Sequence, residues 1–295
     1  MANPLTALSD HVYYLSGGVN CVIVVNDHEA VIIDSGQDKE AGRQLKKACA
    51  QLNVTPKAII NTHSHADHYG GNEFLLNQFD LTVYAPDFEA SIMQNPYLEP
   101  VYLFSGAKPL AELLNKWLLA KPSRVDKALE AGILSLIGLD FQVLDTSGHA
   151  HKQMSVMVDD VLIAADALFG PALLERYPLP FGQDIARQIA SAESLRGYQV
   201  RQVLPGHGAP SADLLGMIDL NLATFEGAAR AIKQATQGQN SFGVLKAVSD
   251  QLGIVMEDLP RYYLNHCVVL AYLSYLRERG EVELSLKDNE VVWRG

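Results

Sequence analysis

The sequence predicts an α/β protein whose chemistry gathers along one sheet edge. Three observations carry that expectation. Apolar runs of strand length recur and end in metal-ligand residue types, as in Val31-Ile32-Ile33-Asp34, Val161-Leu162-Ile163-Ala164-Ala165-Asp166 and Gln202-Val203-Leu204-Pro205-Gly206-His207. Stretches of helical periodicity separate these runs. The chain has 295 residues, 48% of them hydrophobic, which is enough apolar material for one large domain and a smaller one.

Taken in order, residues 12–15, 21–25 and 30–34 read as strands joined by turns at Gly17-Gly18 and Asn26-Asp27, and residues 39–52 read as a helix. Lys57-Ala58-Ile59-Ile60-Asn61 is a buried strand, with a helix opening after Gly70-Gly71. Residues 81–84 form a strand and 87–94 a helix. Residues 95–122 look inserted. They are rich in aromatic and leucine side chains, with helical periodicity over 110–119, and could roof a site, pack the core or meet a second copy. Strands resume at 131–137, 141–144, 154–158 and 161–165. The stretch from Asp166 to His207 is too long for a bare loop. It holds the stiff segment Tyr177-Pro178-Leu179-Pro180-Phe181-Gly182, either pocket wall or connector, and a helix near 184–196.

The densest chemistry is Thr62-His63-Ser64-His65-Ala66-Asp67-His68, three imidazoles and a carboxylate on a strand-to-helix loop. Held this close, such groups lose hydration and repel unless a cation binds them together. Residues two apart on an extended segment share a side, so His63 and His65 can grip one ion. Asp67 and His68 diverge as the chain turns into the helix and can grip a second. Three further strand ends supply donors: Phe141-Gln142-Val143-Leu144 runs through Gly148 to His149, and the other two end at Asp166 and His207.

With Asp34 these elements, spread over roughly residues 12–210, resemble the metallo-β-lactamase superfamily: an Asp after an early strand, HxHxDH, a Gly-His, an Asp and a late His. The resemblance implies an αββα sandwich, two sheets face to face with helices outside. It implies that His63, His65 and His149 bind one metal, that Asp67, His68 and His207 bind another, and that Asp166 bridges them, with Asp34 steadying the ligand loop from behind. It implies two divalent ions, zinc first, with iron or manganese as alternatives. It also implies a hydrolase in which a metal-bridged hydroxide attacks and Asp67 takes or relays the proton. Two positions depart from the usual pattern: Ala165 stands where many members have Gly, and Ser147 and Ala150 flank Gly148-His149 in place of Pro and Thr. His151 is either a donor at the site mouth or a loop histidine.

Within the superfamily, Asp166 argues against a β-lactamase, in which another residue type usually bridges. The short Asp166–His207 interval argues against an inserted nuclease domain, and His65 argues against an oxygen reductase, which usually has Glu there. The remaining expectation is hydrolysis of an ester, thioester or lactone of a small molecule, in the manner of glyoxalase II or lactonases. A mononuclear iron persulfide dioxygenase and a nucleic-acid-processing protein are the competing readings.

From residue 213 the donor pattern stops. Helices at 214–237, 242–252 and 260–279 precede a hairpin at 281–286 and 291–293, dividing the chain into a catalytic part, 1–212, and a helical part, 213–295. That arrangement resembles the winged-helix domain appended to some superfamily members, including lactamase-β-like endoribonucleases. Its charge argues against nucleic acid: over residues 214–295 eight Lys/Arg and ten Asp/Glu give −2, where such modules need a basic face. A structural or dimerising tail is the expectation, with a homodimer possible. The net charge of −11 disfavours anionic membranes as well as nucleic acid. There is no long apolar run, no basic leader in Met1–Thr6, and only three widely spaced cysteines, Cys21, Cys49 and Cys267. Together these give the expectation of a cytoplasmic protein with reduced thiols.

Overall fold

A computed structural model describes residues 4–295; Met1–Asn3, part of the stretch read above for a leader, lie outside the described residues. The strands are β1 (Leu5–Ala7), β2 (Val12–Leu15), β3 (Cys21–Asn26), β4 (Glu29–Ile33), β5 (Thr55–Ile60), β6 (Thr82–Ala85), β7 (Lys127–Ala128), β8 (Gly132–Leu136), β9 (Leu139–Asp145), β10 (Met154–Val158), β11 (Val161–Ala165), β12 (Gln202–Pro205), β13 (Gln237–Gln239), β14 (Glu283–Lys287) and β15 (Glu290–Arg294). The helices are α1 (Lys39–Gln51), α2 (Ala66–Tyr69), α3 (Asn72–Leu76), α4 (Asp87–Gln94), α5 (Leu98–Leu103), α6 (Pro171–Arg176), α7 (Ile185–Ser194), α8 (Leu214–Ala235), α9 (Ser241–Leu252) and α10 (Leu259–Glu278).

Strands β1 to β7 make one sheet in sequence order, antiparallel through β4 and parallel from β4 to β7. A second sheet runs β12-β11-β10-β9-β8, with only the β11–β12 pair parallel. Period-two alternation decides which sheet face each residue joins. Val22, Val24, Val31 and Ile33 face the second sheet, where Phe141, Val143, Val156 and Ile163 meet them. Their neighbours Ile23, Ala30 and Ile32 turn outward onto Leu45 and Ala48 of α1. Leu162 and Ala164 of β11 likewise turn outward onto Ala192 of α7 and Met217 of α8. The layers are therefore helix, sheet, sheet, helix. Parallel strands need crossovers, so their ends gather at one edge, and the loops after β4, β5, β11 and β12 share it.

The C-terminal region is three helices followed by the expected hairpin, which β13 widens to a sheet ordered β13-β15-β14. Asp213, Asn240 and Asp258 cap α8, α9 and α10 through their side chains. Val244, Val248, Val269, Tyr272 and Trp293 form its core, and Leu179 and Ile185 join it from the preceding segment.

The helix expected after Gly70-Gly71 is α3. A further short helix, α2, begins at Ala66, so Asp67 and His68 lie on its first turn with His65 as its N-cap. One local expectation is corrected. The periodicity over 110–119 yields only a 3₁₀ turn at Ala111–Leu113. There Asn115 donates to the Glu112 carbonyl and accepts from the Trp117 N–H, local bonds that compete with a helical ladder. Among the described residues no helix is long and apolar enough to cross a membrane.

Candidate metal centre and its cavity

Asp34 follows β4 at φ +56°, a conformation that Asp tolerates better than most residues. Its Oδ1 accepts from the Thr62 N–H at 2.8 Å, and its Oδ2 accepts from Thr62 Oγ1 at 2.8 Å. The same Oδ2 lies 2.8 Å from His68 Nδ1. A carboxylate only accepts, so His68 carries its proton on Nδ1 and turns Nε2 inward. Other imidazoles are also held by their outer nitrogen. His149 Nδ1 meets the Phe181 carbonyl at 3.1 Å, and His207 Nδ1 meets the Gly18 carbonyl at 2.6 Å.

The inward atoms converge. His65 Nδ1 is 3.0 Å from His63 Nε2 and 2.9 Å from His149 Nε2. Asp166 Oδ2 is 3.3 Å from both His149 Nε2 and His207 Nε2, and His207 Nε2 is 3.4 Å from Asp67 Oδ2. Three donor triads result: His63-His65-His149, His63-His68-Asp166 and Asp67-His68-His207, with the ligand atoms of each within 4.8 Å of one another. All seven donors read from the sequence therefore come together, and Asp166 reaches both halves.

This donor set fits divalent cations. Donors at about 2.1 Å from a tetrahedral centre are about 3.4 Å apart, close to the separations seen here. His68 Nε2 and Asp166 Oδ1 are buried, 3.6 Å apart, and lack a hydrogen-bond partner among the described residues. Two such orphaned atoms would each cost about 1–3 kcal/mol, and a cation between them satisfies both.

The electrostatics divide the cluster. Burial pushes His65 down to about 4 and His149 down to about 3, against partial support from nearby carboxylates. Burial, then the neighbouring imidazoles, push His63 down too. Burial also opposes charge on His68 and His207, but Asp166 leads the carboxylates that outweigh it. His68 is held well above the usual histidine range and His207 is raised to about 9. Burial disfavours the Asp166 carboxylate, yet His207, His68 and His149 hold it well below the usual carboxylate range.

Small residues make room for this packing. A Cβ on Gly206 would collide with Asp166 Oδ1, and Gly148, at φ +139°, lies against the Gln188 backbone. Ala165 takes φ +47°, which explains why Gly is common at this position in the pattern described above.

Two contributors had no signal in the sequence. Buried Glu89 of α4 accepts from the Ser64 N–H at 3.1 Å, from Ser64 Oγ, and from the Lys152 N–H at 3.0 Å. It ties the His63–His65 loop to the segment after His149. A buried acid on a short helix reads in sequence like any surface acid. The second contributor is the C-terminal region. A cavity of about 660 Å³ opens over the donors, and Leu252–Val255 and Arg261, Leu264 and Val268 of α10 form one of its walls. Tyr177–Phe181 form another, so that stretch is pocket wall. Trp117 and Leu118 close a third side, while Leu103, Leu113 and Leu118 pack against Tyr263 and Leu264 of α10. The inserted segment is thus both roof and packing. His151 is an exposed loop residue whose ring meets Phe88 at 5.2 Å.

The family model described as "Metallo-beta-lactamase superfamily" matches residues 16–207, which include every one of these donors. The chain belongs to the metallo-β-lactamase superfamily. Among its relatives is a hydroxyacylglutathione hydrolase of Xanthomonas campestris pv. campestris (strain B100), 28% identical over 148 residues, 50% of this chain and 45% of that protein. The chain spans about half the length of this group of hydroxyacylglutathione hydrolases. A Bacillus subtilis (strain 168) protein named "Probable metallo-hydrolase YqgX" is 25% identical over 205 residues, 68% of this chain and 90% of that one. A metallo-beta-lactamase family protein from Thermus thermophilus has the same fold, with TM-score 0.77 at 21% identity, covering 98% of this chain and 99% of the other. Its buried and half-buried His/Asp cluster is suited to divalent metal.

Proposed function

We propose that the protein hydrolyses an ester, thioester or lactone-type small molecule at a dinuclear site, zinc being the expected metal. The observation that carries this reading is the pair of donor triads on either side of Asp166, at the floor of a cavity of about 660 Å³. Divalent ions, when bound, supply a water nucleophile at neutral pH and polarise the scissile carbonyl. The residues supply the rest. His63, His65 and His149 would hold one ion and Asp67, His68 and His207 the other, with Asp166 within reach of both groups. Asp67 faces the cavity and takes or relays the proton released from water. Phe169 and Phe181 shield the floor from bulk water. A volume of this order suits a small molecule.

The test is hydrolysis of thioesters, lactones, esters, phosphodiesters and β-lactams by metal-quantified protein. We expect turnover of carbonyl substrates at about two zinc ions per chain. One iron per chain with oxygen consumption would instead support the dioxygenase reading.

A further inference from the structure

The charged side chains above the donors are unevenly paired. Arg176, at the end of α6, and Arg261, on the first turn of α10, both line the cavity. Neither has a carboxylate within 4.0 Å among the described residues, whereas most of the chain's other arginines do. Arg176 lies over the Tyr177 ring at 5.3 Å, which orients its guanidinium while leaving the N–H fork free. Two acids share the wall. Glu175 is exposed, and Glu99 is buried, with its carboxyl pushed well above the usual range by burial and by Asp67 and Glu89. On a protein of net charge −11, a cavity lined by two guanidinium groups with no salt bridge among the described residues stands out. The apolar part of the lining includes Phe169, Leu173, Leu179, Leu264 and Val268. Trp117 and Val255, 64% and 72% exposed, extend that surface to the mouth.

We propose that the cavity is built for an amphiphilic acyl substrate. An apolar acyl or aryl body lies along the hydrophobic wall, and an anionic group on the leaving thiol or alcohol is held by Arg176 and Arg261. This rests on the hydrolase reading above and adds the substrate's charge and polarity to it. Arginine forks match phosphate and carboxylate alike, so the shared chemistry is an oxyanion. The C-terminal region thereby becomes part of substrate recognition, because Arg261 and two of the five apolar wall residues named above come from α10.

The test is calorimetric binding of S-octyl thioethers to the zinc-loaded full chain. These cannot be hydrolysed, so the result does not depend on turnover. Three carriers are compared: coenzyme A (phosphates), glutathione (carboxylates) and N-acetylcysteamine (uncharged). We expect at least one anionic thioether to bind about tenfold or more tightly than the uncharged one, with that advantage shrinking as salt is added. Which anion binds better identifies the source of the charge. Arg176→Met and Arg261→Met, which keep an apolar stem, should each narrow the gap about tenfold. Equal affinity for all three carriers would overturn the proposal, as would a charge advantage insensitive to salt. So would variants that weaken all three equally. The salt series on the unaltered chain decides the matter even if a variant fails to fold. Preferential, arginine-dependent binding without turnover of the corresponding thioesters would leave this proposal standing and count against the hydrolase reading alone.

Discussion

The floor and the walls of the cavity are built in different ways. The floor comes from the ends of β4, β5, β11 and β12 and from the turn after β9, all short excursions from paired strands. Its donors are buried or half-buried and are held by bonds to Asp34, Gly18 and Phe181. The walls come from residues near 99–118, 169–181 and 252–268, segments distant in sequence that mix loops with parts of α5, α6 and α10. Their side chains include the exposed Trp117, Tyr177 and Val255. A rigid floor sets which reaction occurs, and variable walls set which molecule reaches it. Changes to the floor should therefore strike metal and turnover together, while changes to the walls should move substrate preference and leave metal in place.

The largest effect should come from Asp166→Asn. Asparagine keeps the shape but not the charge that spans both triads. We expect kcat/KM to fall on the order of a thousandfold or more, metal content to drop, and circular dichroism to stay unchanged. Near-normal activity would remove Asp166 from the centre of the account.

Acid should sharpen the contrast within the floor itself. His207, raised to about 9, and His68, held high, carry protons at neutral pH unless a cation displaces them. His65 and His149, at about 4 and about 3, are already neutral. A raised pKa means that metal competes with protons, so affinity at Asp67-His68-His207 should fall about tenfold per pH unit for each proton displaced as pH drops below about 9. At His63-His65-His149 it should stay flat down to about pH 4. Elemental analysis after dialysis over this range should find one ion lost before the other; simultaneous loss would contradict the division.

Asp34→Ala should weaken metal binding about 10–100-fold by freeing His68 and Thr62, as read by competition with a chelator. Unchanged affinity would make Asp34 a mere turn residue. At the wall, Trp117→Ala should raise KM for a bulky substrate several-fold with metal content intact, a shift of about 1 kcal/mol. If metal is lost as well, the floor and walls are not separable.

The floor was legible in the sequence because its donors sit at fixed offsets from short strands, and such offsets survive without knowledge of packing. His63, His65, Asp67 and His68 fall within six positions, and His149, Asp166 and His207 each close a recognisable run. The walls were legible only in part: residues 95–122 and 177–182 stood out as candidates, but no local rule links Trp117 to Arg261 across the chain. Glu89 was hidden for the same reason: only the meeting of α4 with the Ser64 and Lys152 backbone reveals it. The helix expected over 110–119 failed because its leucines were counted without weighing the local bonds of Asn115.

Anomalous diffraction from crystals soaked in zinc tests the central claim most directly. Two peaks should appear on either side of Asp166, one about 2 Å from His63, His65 and His149 and the other about 2 Å from Asp67, His68 and His207. Zinc bound elsewhere, or no ordered peak among these seven side chains, would contradict it.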